Sequence, residues 1–154
     1  MAVETGAQAP DFTLKDQNKQ DVALSSFKGS KNVLLVFYPF AFSSICTNEL
    51  REVRDNLSRY QNDAVQILAV STDPTFSLKA FANAEGYEFP LLSDFWPHGE
   101  LAKTYDVFNE TPGMANRGTF LIDTAGVVRF SEVNEPGEPR DQADWLRALE
   151  QVSA

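Results

Sequence analysis

The strongest constraint on the fold is an uninterrupted apolar run, VLLVFY, at residues 33–38. The run is rich in β-branched and aromatic residues and has no polar position, as expected for a strand buried on both faces. Proline cannot donate to a ladder of hydrogen bonds, so the strand is predicted to end at Pro39. A strand of this kind lies in the middle of an α/β sheet.

The period of the apolar residues changes directly after this strand. From about residue 44 to residue 60 they recur at helical spacing on one face, at Cys46, Leu50, Val53, Leu57 and Tyr60. Ser43 or Ser44 is the expected N-cap of this helix. Cys46 then lies in the first helical turn, where unpaired backbone N–H groups and the helix dipole favour the thiolate over the thiol.

Shorter patterns predict the other elements. Residues 11–14 and 21–24 flank a polar turn and are expected to form a hairpin. Asp73, followed by Pro74, is expected to cap a helix that ends near Glu85. The remaining predictions are strands at 65–70, 118–122 and 127–130, a short apolar segment at 89–92, helices at 99–105 and 141–152, and an acidic loop at 132–140.

This order of elements predicts an α/β fold with a mixed central β-sheet flanked by helices and an N-terminal β-hairpin. The pattern is compatible with a thioredoxin-like fold, although spacing alone does not separate that fold from other small α/β folds. A length of 154 residues and an apolar fraction of 43% suit one domain over residues 1–154 with a core of its own.

Composition also limits the expected partners and cellular location. The net charge of −9 repels phosphate backbones and anionic lipids, so neither nucleic acid nor a membrane is an expected partner. No apolar stretch reaches the length of about 18 residues that marks a transmembrane helix. The N-terminus lacks a basic start followed by an apolar run, so a cytoplasmic location is predicted.

The chain contains one cysteine, Cys46. An intramolecular disulfide is therefore impossible, and a structural zinc site is nearly excluded because only Cys46 and His98 could supply its usual ligands. Chemistry at the sulfur must be completed by a thiol from another molecule. Cysteine is also among the most buried residue types, and periodicity alone, on the face with Leu50 and Val53, favours a packing role.

Residues 39–46, PFAFSSIC, resemble the active-site signature of the peroxiredoxins, in which a proline, a hydroxyl residue and a cysteine follow at this spacing. The resemblance extends from about residue 6 to residue 149. Within the family, the chain is most similar to the alkyl hydroperoxide reductase E type, a one-cysteine subgroup of actinobacteria. Ser43 stands where threonine is usual, which keeps the hydroxyl and removes a methyl group. Further matching segments lie at residues 9–14, 89–94 and 115–120.

The resemblance implies a thioredoxin-like fold and a catalytic set of Cys46, Ser43, Pro39 and Arg117. Cys46 would attack the peroxide, Ser43 would hold it, Pro39 would shield the thiolate, and Arg117 would donate to the thiolate and the transferring oxygen. The expected product is a cysteine sulfenic acid. The implied substrates are organic hydroperoxides, peroxynitrite and hydrogen peroxide.

The same resemblance implies no bound cofactor and an external thiol as reductant. Mycothiol with a mycoredoxin-type protein, or a thioredoxin, would reduce the sulfenic acid of Cys46. A homodimer or a higher homo-oligomer is also implied. Two other functions remain open: a redox signalling module that passes oxidised Cys46 to a partner as a mixed disulfide, and a thioredoxin-like scaffold with an inert cysteine.

Other residues near these motifs lie outside the implied catalytic set. Glu49 is interpreted either as the partner of an arginine or as a first-turn acid favoured by the helix dipole. Arg140, in the acidic loop, is expected to be a surface ion-pair residue, and His98 an exposed loop residue. Phe40 and Phe42 are expected to pack the signature loop, although an apolar rim would suit a lipid hydroperoxide. Phe95 and Trp96 are also expected to be packing residues, although the resemblance places their segment near the peroxide pocket and the subunit contact.

Overall fold

The computed structural model describes residues 3–153, which form nine strands and five α-helices. The strands are β1 (Thr13–Lys15), β2 (Asp21–Ala23), β3 (Asn32–Phe37), β4 (Val65–Ser71), β5 (Leu91–Ser93), β6 (Phe108–Asn109), β7 (Met114–Ala115), β8 (Arg117–Ile122) and β9 (Val128–Asn134). The helices are α1 (Ser44–Asp55), α2 (Leu57–Tyr60), α3 (Thr75–Glu85), α4 (Glu100–Thr104) and α5 (Gln142–Ser153). None of the helices within residues 3–153 is long and apolar enough to cross a bilayer.

Seven of these strands form one mixed sheet in the order β2-β1-β5-β4-β3-β8-β9, and β6 pairs with β7 in a separate ribbon. β3 lies inside the sheet, parallel to β4 and antiparallel to β8. All residues of β3 are buried, which confirms the prediction of a central strand before Pro39. The mixed sheet and the N-terminal hairpin of β1 and β2 are confirmed as well.

The residues of β3 alternate between two hydrophobic cores, one on each face of the sheet. Leu34 and Val36 pack with side chains of α1, α3 and α5, including Cys46. Leu35 and Phe37 pack on the opposite face with α4 and the N-terminal segment. Helices therefore flank the sheet on both sides, and α1 carries Cys46 on its inner face.

The segments predicted to form the site lie together at one end of the strands, here called the carboxyl edge of the sheet. The strands β3, β4 and β5 are parallel, so their carboxyl ends lie together at this edge. The loop at residues 39–43 leaves β3 there and leads into α1. Because β8 runs antiparallel to β3, its first residue, Arg117, lies at the same edge.

Three local predictions are wrong in detail. The helix expected from 44 to 60 is interrupted at Asn56, whose φ of −126° and ψ of 33° are not helical. Asp73 does not cap α3, whose N-cap position is taken by Pro74 without a side-chain hydrogen bond. β9 continues to Asn134, beyond its expected end, because its pairing with β8 continues as far as Arg117.

Candidate active site

The loop at residues 39–43 joins β3 to α1 and sets the position of the first helical turn. Pro39 is buried, and Phe42 has a positive φ of 68°. Ser43 occupies the N-cap position, as predicted, but its hydroxyl donates to the backbone oxygen of Phe40 at 2.9 Å. No side chain within residues 3–153 caps α1, so its first-turn N–H groups have no side-chain acceptor.

Cys46 follows Ser43 in the first turn of α1 and faces the interior. Its side chain is 0% exposed and packs in the hydrophobic core with Leu34, Val36 and Leu50. The cysteine is a free thiol. The sulfur is thus enclosed, as a packing cysteine would be, yet it also lies in the uncapped first turn of a helix.

Arg117 is the first residue of β8 and is held in place by two hydrogen bonds. Its Nε–H donates to the backbone oxygen of Pro136 at 2.8 Å, and its Nη1 donates to Glu49 Oε1 at 2.9 Å. Only 2% of the Arg117 side chain is exposed. The guanidinium is therefore fixed at the edge of the sheet and does not extend into solvent.

A surface cavity of about 300 Å³ brings together Pro39, Ser43 and Arg117. Three of the four residues predicted for the site thus line one space, and Cys46 directly follows Ile45 of its wall. Most of the wall is apolar, and the Ser43 hydroxyl and the Arg117 guanidinium supply polar groups. The other lining residues are Phe40, Ser44, Ile45, Met114, Pro136 and Gly137.

Glu49 joins Arg117 to a second buried arginine, Arg140. Its Oε1 accepts from Arg117 Nη1 at 2.9 Å and from Arg140 Nη2 at 2.8 Å. Its Oε2 accepts from the backbone N–H of Arg140 at 2.9 Å and from Arg140 Nε at 3.2 Å. The interpretation of Glu49 as an arginine partner is confirmed, and it serves two arginines.

The prediction that Arg140 is a surface ion-pair residue is wrong. Its side chain is fully buried, and Nη1 donates to the backbone oxygens of Phe37 at 2.8 Å and Gly118 at 3.0 Å. The same nitrogen lies 3.1 Å from Thr119 Oγ1. The buried charge is tolerated because Glu49 neutralises it and backbone oxygens accept its remaining donors. Arg140 thereby ties the end of β3 to the start of β8.

Burial and charge act in opposite directions on this cluster. Burial alone would raise the pKa of Glu49, but the hydrogen bonds and charge of Arg140 and the charge of Arg117 lower it below its ordinary value. Burial lowers the pKa of Arg140, while Glu49 and Cys46 partly offset that effect. Arg140 thus interacts electrostatically with Cys46, although the sequence predicted no role for Arg140 in the site.

The aromatic residues near the loop are more exposed than predicted. Trp96 is 82% exposed, and Phe95 and Phe40 also present much of their side chains to solvent, so the expectation that they pack is wrong. Phe42 is exposed as well, but its ring centroid lies 4.9 Å from that of Phe81.

Two further observations concern metal ligands and the single histidine. Within residues 3–153, no group of three His, Cys, Asp or Glu residues is placed to hold a metal ion. His98 is exposed, as predicted, and its Nε2 lies 2.7 Å from the backbone oxygen of Gly113. His98 thus holds a turn and does not line the cavity with Ser43 and Arg117.

Comparisons of the sequence identify related proteins over almost the whole chain. Residues 5–131 match the profile of the AhpC/TSA family. Alkyl hydroperoxide reductase E of Mycobacterium tuberculosis is 52% identical over 152 residues, which cover 99% of this chain and 99% of the relative. Alkyl hydroperoxide reductase C of Staphylococcus epidermidis is 38% identical over 147 residues, which cover 93% of this chain and 75% of the relative.

Solved structures give the same result for the fold. Peroxidoxin BcpB from Mycobacterium tuberculosis superposes with a TM-score of 0.85 and 31% identity, over 98% of this chain and 99% of the other. The mitochondrial 2-Cys peroxiredoxin from Plasmodium falciparum superposes with a TM-score of 0.85 and 30% identity, over 97% of this chain and 94% of the other. The thioredoxin-like architecture expected from the sequence is confirmed by these similarities.

Proposed function

The chain belongs to the AhpC/TSA family and is a peroxiredoxin, and we propose that it reduces hydroperoxides at Cys46 and depends on an external thiol. The 52% identity to Alkyl hydroperoxide reductase E confirms the subgroup that the sequence resembled. The family establishes a peroxidase with an antioxidant role. The catalytic residues, the substrates and the reductant are what we propose.

The observation that carries this proposal is the joint position of Ser43 and Arg117 in one cavity beside the first turn of α1. The two residues come from different parts of the chain and line the same space, and their side chains carry a hydroxyl and a guanidinium. Arg117 is held there by Glu49, so its donors are oriented before any substrate enters. Fixed donors of this kind stabilise charge that develops during a reaction.

In the proposed first step, the Cys46 thiolate attacks the distal oxygen of a hydroperoxide, ROOH. A sulfur–oxygen bond forms, the oxygen–oxygen bond breaks, and the leaving alkoxide takes a proton to become the alcohol. Cys46 is oxidised to the sulfenic acid and the peroxide is reduced. Arg117 donates to the oxygens between which charge moves, Ser43 orients the peroxide, and Pro39 limits the access of water.

Glu49 and Arg140 support this step without touching the substrate. Glu49 orients Arg117, and Arg140 holds Glu49 from the opposite side. The two guanidinium groups and one carboxylate leave a net positive charge beside Cys46, since Glu49 remains ionised at neutral pH. A net positive charge favours the thiolate, which is the nucleophilic form.

In the proposed second step, an external thiol attacks the sulfenic sulfur of Cys46 and releases water. A second thiol then attacks the mixed disulfide, which restores Cys46 and yields the oxidised reductant. The chain has no other cysteine to perform this step. Mycothiol with a mycoredoxin-type protein, or a thioredoxin, is the proposed reductant, and no bound cofactor is required.

The wall of the cavity supports organic hydroperoxides as substrates. Phe40, Ile45 and Met114 line it with apolar side chains, which gain free energy when an apolar substituent covers them. Hydrogen peroxide and peroxynitrite have no apolar substituent and gain nothing from such contacts. Their binding therefore depends on Ser43 and Arg117 alone. The apolar rim that the sequence suggested for a lipid hydroperoxide agrees with this proposal.

We further propose a cytoplasmic homodimer or higher homo-oligomer. The exposed side chains of Trp96, Phe95 and Phe76 favour association with a second copy, because water-exposed aromatic groups gain free energy on burial. The net charge of −9 disfavours nucleic acid and anionic membranes as partners. Analytical ultracentrifugation at several protein concentrations would test this part of the proposal, and a monomer at all concentrations would contradict it.

Stopped-flow fluorescence of the reduced protein with cumene hydroperoxide tests the central assignment. We expect rapid oxidation of the wild type, mass spectrometry to locate one added oxygen on Cys46, and repeated turnover when a thiol reductant is supplied. The variant Cys46→Ser should show neither oxidation nor turnover, and wild-type protein alkylated beforehand serves as its control. Turnover by Cys46→Ser would disprove the assignment, and oxidation without turnover by any thiol would indicate a signalling role.

A further inference from the structure

We propose that Asp73 is a positioning residue of the peroxidase site, which holds the loop at residues 39–43 over Cys46. Asp73 lies outside the cavity and was expected from the sequence only to cap α3. The inference rests on the proposed function, because it concerns the rate at which Cys46 reacts with peroxides. It assigns a role to a carboxylate that the reaction itself does not use.

The contact that carries the inference joins the Asp73 carboxylate to the middle of the loop. Asp73 Oδ2 accepts the backbone N–H of Ala41 at 2.8 Å. Ala41 lies two residues after Pro39 and two residues before Ser43, so this bond fixes the backbone between both proposed site residues.

Asp73 is itself held by the ends of two neighbouring strands. Its Oδ2 also accepts the hydroxyl proton of Ser71 at 2.7 Å, and its backbone oxygen accepts that of Ser93 at 2.7 Å. Ser71 is buried, and its backbone oxygen accepts the N–H of Asp94 at 2.8 Å. The carboxylate is therefore part of the rigid carboxyl edge of β4 and β5, and the loop is attached to that edge.

Few other contacts in the described structure involve this carboxylate, apart from its charge acting on the buried Tyr38 hydroxyl. Asp73 does not cap α3, and within residues 3–153 it forms no salt bridge with a lysine or arginine. Its two side-chain contacts are the ones to Ala41 and Ser71. A negative charge also opposes a thiolate nearby, so its presence here is better explained by the hydrogen bond than by the charge.

The loop needs such an attachment because its backbone is strained. Phe42 has a φ of 68°, which is unfavourable for a bulky residue and persists only where surrounding contacts impose it. Ala41 directly precedes Phe42, and the Phe42 ring packs on Phe81 with its other face in solvent. Besides the bond to Asp73, the strained residue is held by this ring contact and by the turn that Ser43 closes with the backbone oxygen of Phe40.

Loss of this attachment would misalign the two sides of the cavity. Arg117 is fixed on β8 by Glu49 and Pro136, independently of the loop. Pro39 and Ser43 belong to the loop and would move relative to Arg117. Misplacement of reacting groups by about 1 Å can slow a reaction by roughly a hundredfold.

The test compares Asp73→Ala with Asp73→Asn and with Asp63→Ala. The asparagine keeps an oxygen that can accept from Ala41 and Ser71 but removes the charge, and Asp63 is an exposed aspartate at the opposite end of β4. The rate of Cys46 oxidation by hydrogen peroxide and by cumene hydroperoxide, the pH dependence of its alkylation, and the thermal midpoint are measured for each. We expect Cys46 of the Asp73→Ala variant to be oxidised roughly ten to a hundred times more slowly than Cys46 of the wild type. The oxidation rates of the other two variants should match that of the wild type.

Oxidation of Asp73→Ala at the wild-type rate would overturn the inference. Equal slowing of Asp73→Asn and Asp73→Ala would overturn it as well, because the charge would then be the cause. If Asp73→Ala does not fold, hydrogen exchange of the wild-type protein decides the question: the Ala41 amide should be protected relative to that of Phe42, and equally fast exchange would contradict the proposed attachment. If wild-type Cys46 is not oxidised at all, the proposed function fails, whereas the Ala41 exchange still reports on Asp73.

Discussion

Arg117 Nη1 donates to Glu49 Oε1 at 2.9 Å, and both side chains are buried below the cavity that Arg117 lines. The pair links the first turns of α1 to the start of β8, which are distant in sequence. The position of Arg117 is therefore determined by the packed interior and does not depend on a substrate. Predictions about activity and about stability both follow from this pair.

Replacement of Arg117 by methionine should slow oxidation of Cys46 while leaving the protein folded. Methionine fills a similar volume, and Glu49 keeps its bonds to Arg140. Removal of one preorganised donor to a developing charge costs about a hundredfold to a thousandfold in rate. Stopped-flow fluorescence measures the effect, and Arg129→Met, at an exposed arginine on β9, serves as the control. An Arg117→Met protein as fast as wild type would contradict the proposed role.

Arg140→Met should destabilise the protein far more than a typical surface change. The substitution leaves Glu49 with one arginine and leaves the oxygens of Phe37 and Gly118 without their donor. Breaking a buried ion pair costs about 3–5 kcal/mol in the free energy of unfolding. Urea denaturation should show this loss, whereas Arg147→Met, at an exposed arginine of α5, should change stability by less than about 0.5 kcal/mol. Equal stabilities would refute the structural role of Arg140.

The stability of the protein should fall in acid because of Glu49. Its pKa in the folded protein is lowered below the ordinary value of 4.5, so the unfolded chain takes up a proton at higher pH than the folded one. The contribution of Glu49 to the free energy of unfolding is fully present above pH 4.5. It is lost as the pH falls through the lowered pKa that Glu49 has in the folded protein. Urea denaturation between pH 6 and about pH 3 measures the decline.

A matched pair of variants isolates this effect. Glu49→Gln should be less stable than the wild type at neutral pH and should lose less stability on acidification, because it has no carboxylate to protonate. Glu52→Gln, at an exposed position of the same helix, should follow the wild-type curve. A Glu49→Gln curve parallel to that of the wild type would show that other groups cause the acid sensitivity.

The preference for organic hydroperoxides should depend on the apolar wall of the cavity. Met114→Gln places a polar amide in the part of the wall that the ring of cumene hydroperoxide is proposed to contact. Hydrogen peroxide is too small to make that contact. Loss of one apolar contact of this size lowers the rate constant by roughly tenfold. We expect that loss for cumene hydroperoxide and none for hydrogen peroxide. A parallel loss for both peroxides would mean that Met114 acts on the loop and not on the substrate.

The main elements of the fold could be predicted because their patterns are local. The apolar run of β3 and the helical spacing after it were sufficient to place Cys46 in the first turn of α1. Glu49 was recognised as a possible arginine partner for the same reason, since it lies one turn further along that helix. The signature proline and serine indicated the loop, and the structure places both with Arg117 in one cavity.

The residues for which the sequence-based prediction is wrong make contacts with distant segments. Arg140 follows an acidic stretch with two prolines, which locally favours exposure, yet its guanidinium is buried by partners on β3, α1 and β8. Asp73 precedes a proline and a helix, which suggested a cap, but its carboxylate binds a loop more than thirty positions earlier. Neither contact has a signal within one segment of the sequence.

The complete enclosure of the Cys46 sulfur constrains the kinetics of a catalytic cycle. No peroxide can touch that atom until side chains of the first turn of α1 and its neighbours separate briefly. The frequency of that separation is an upper limit on the rate at which the thiol is oxidised. Oxidation of Cys46 is therefore expected to become independent of peroxide concentration once encounters outnumber openings.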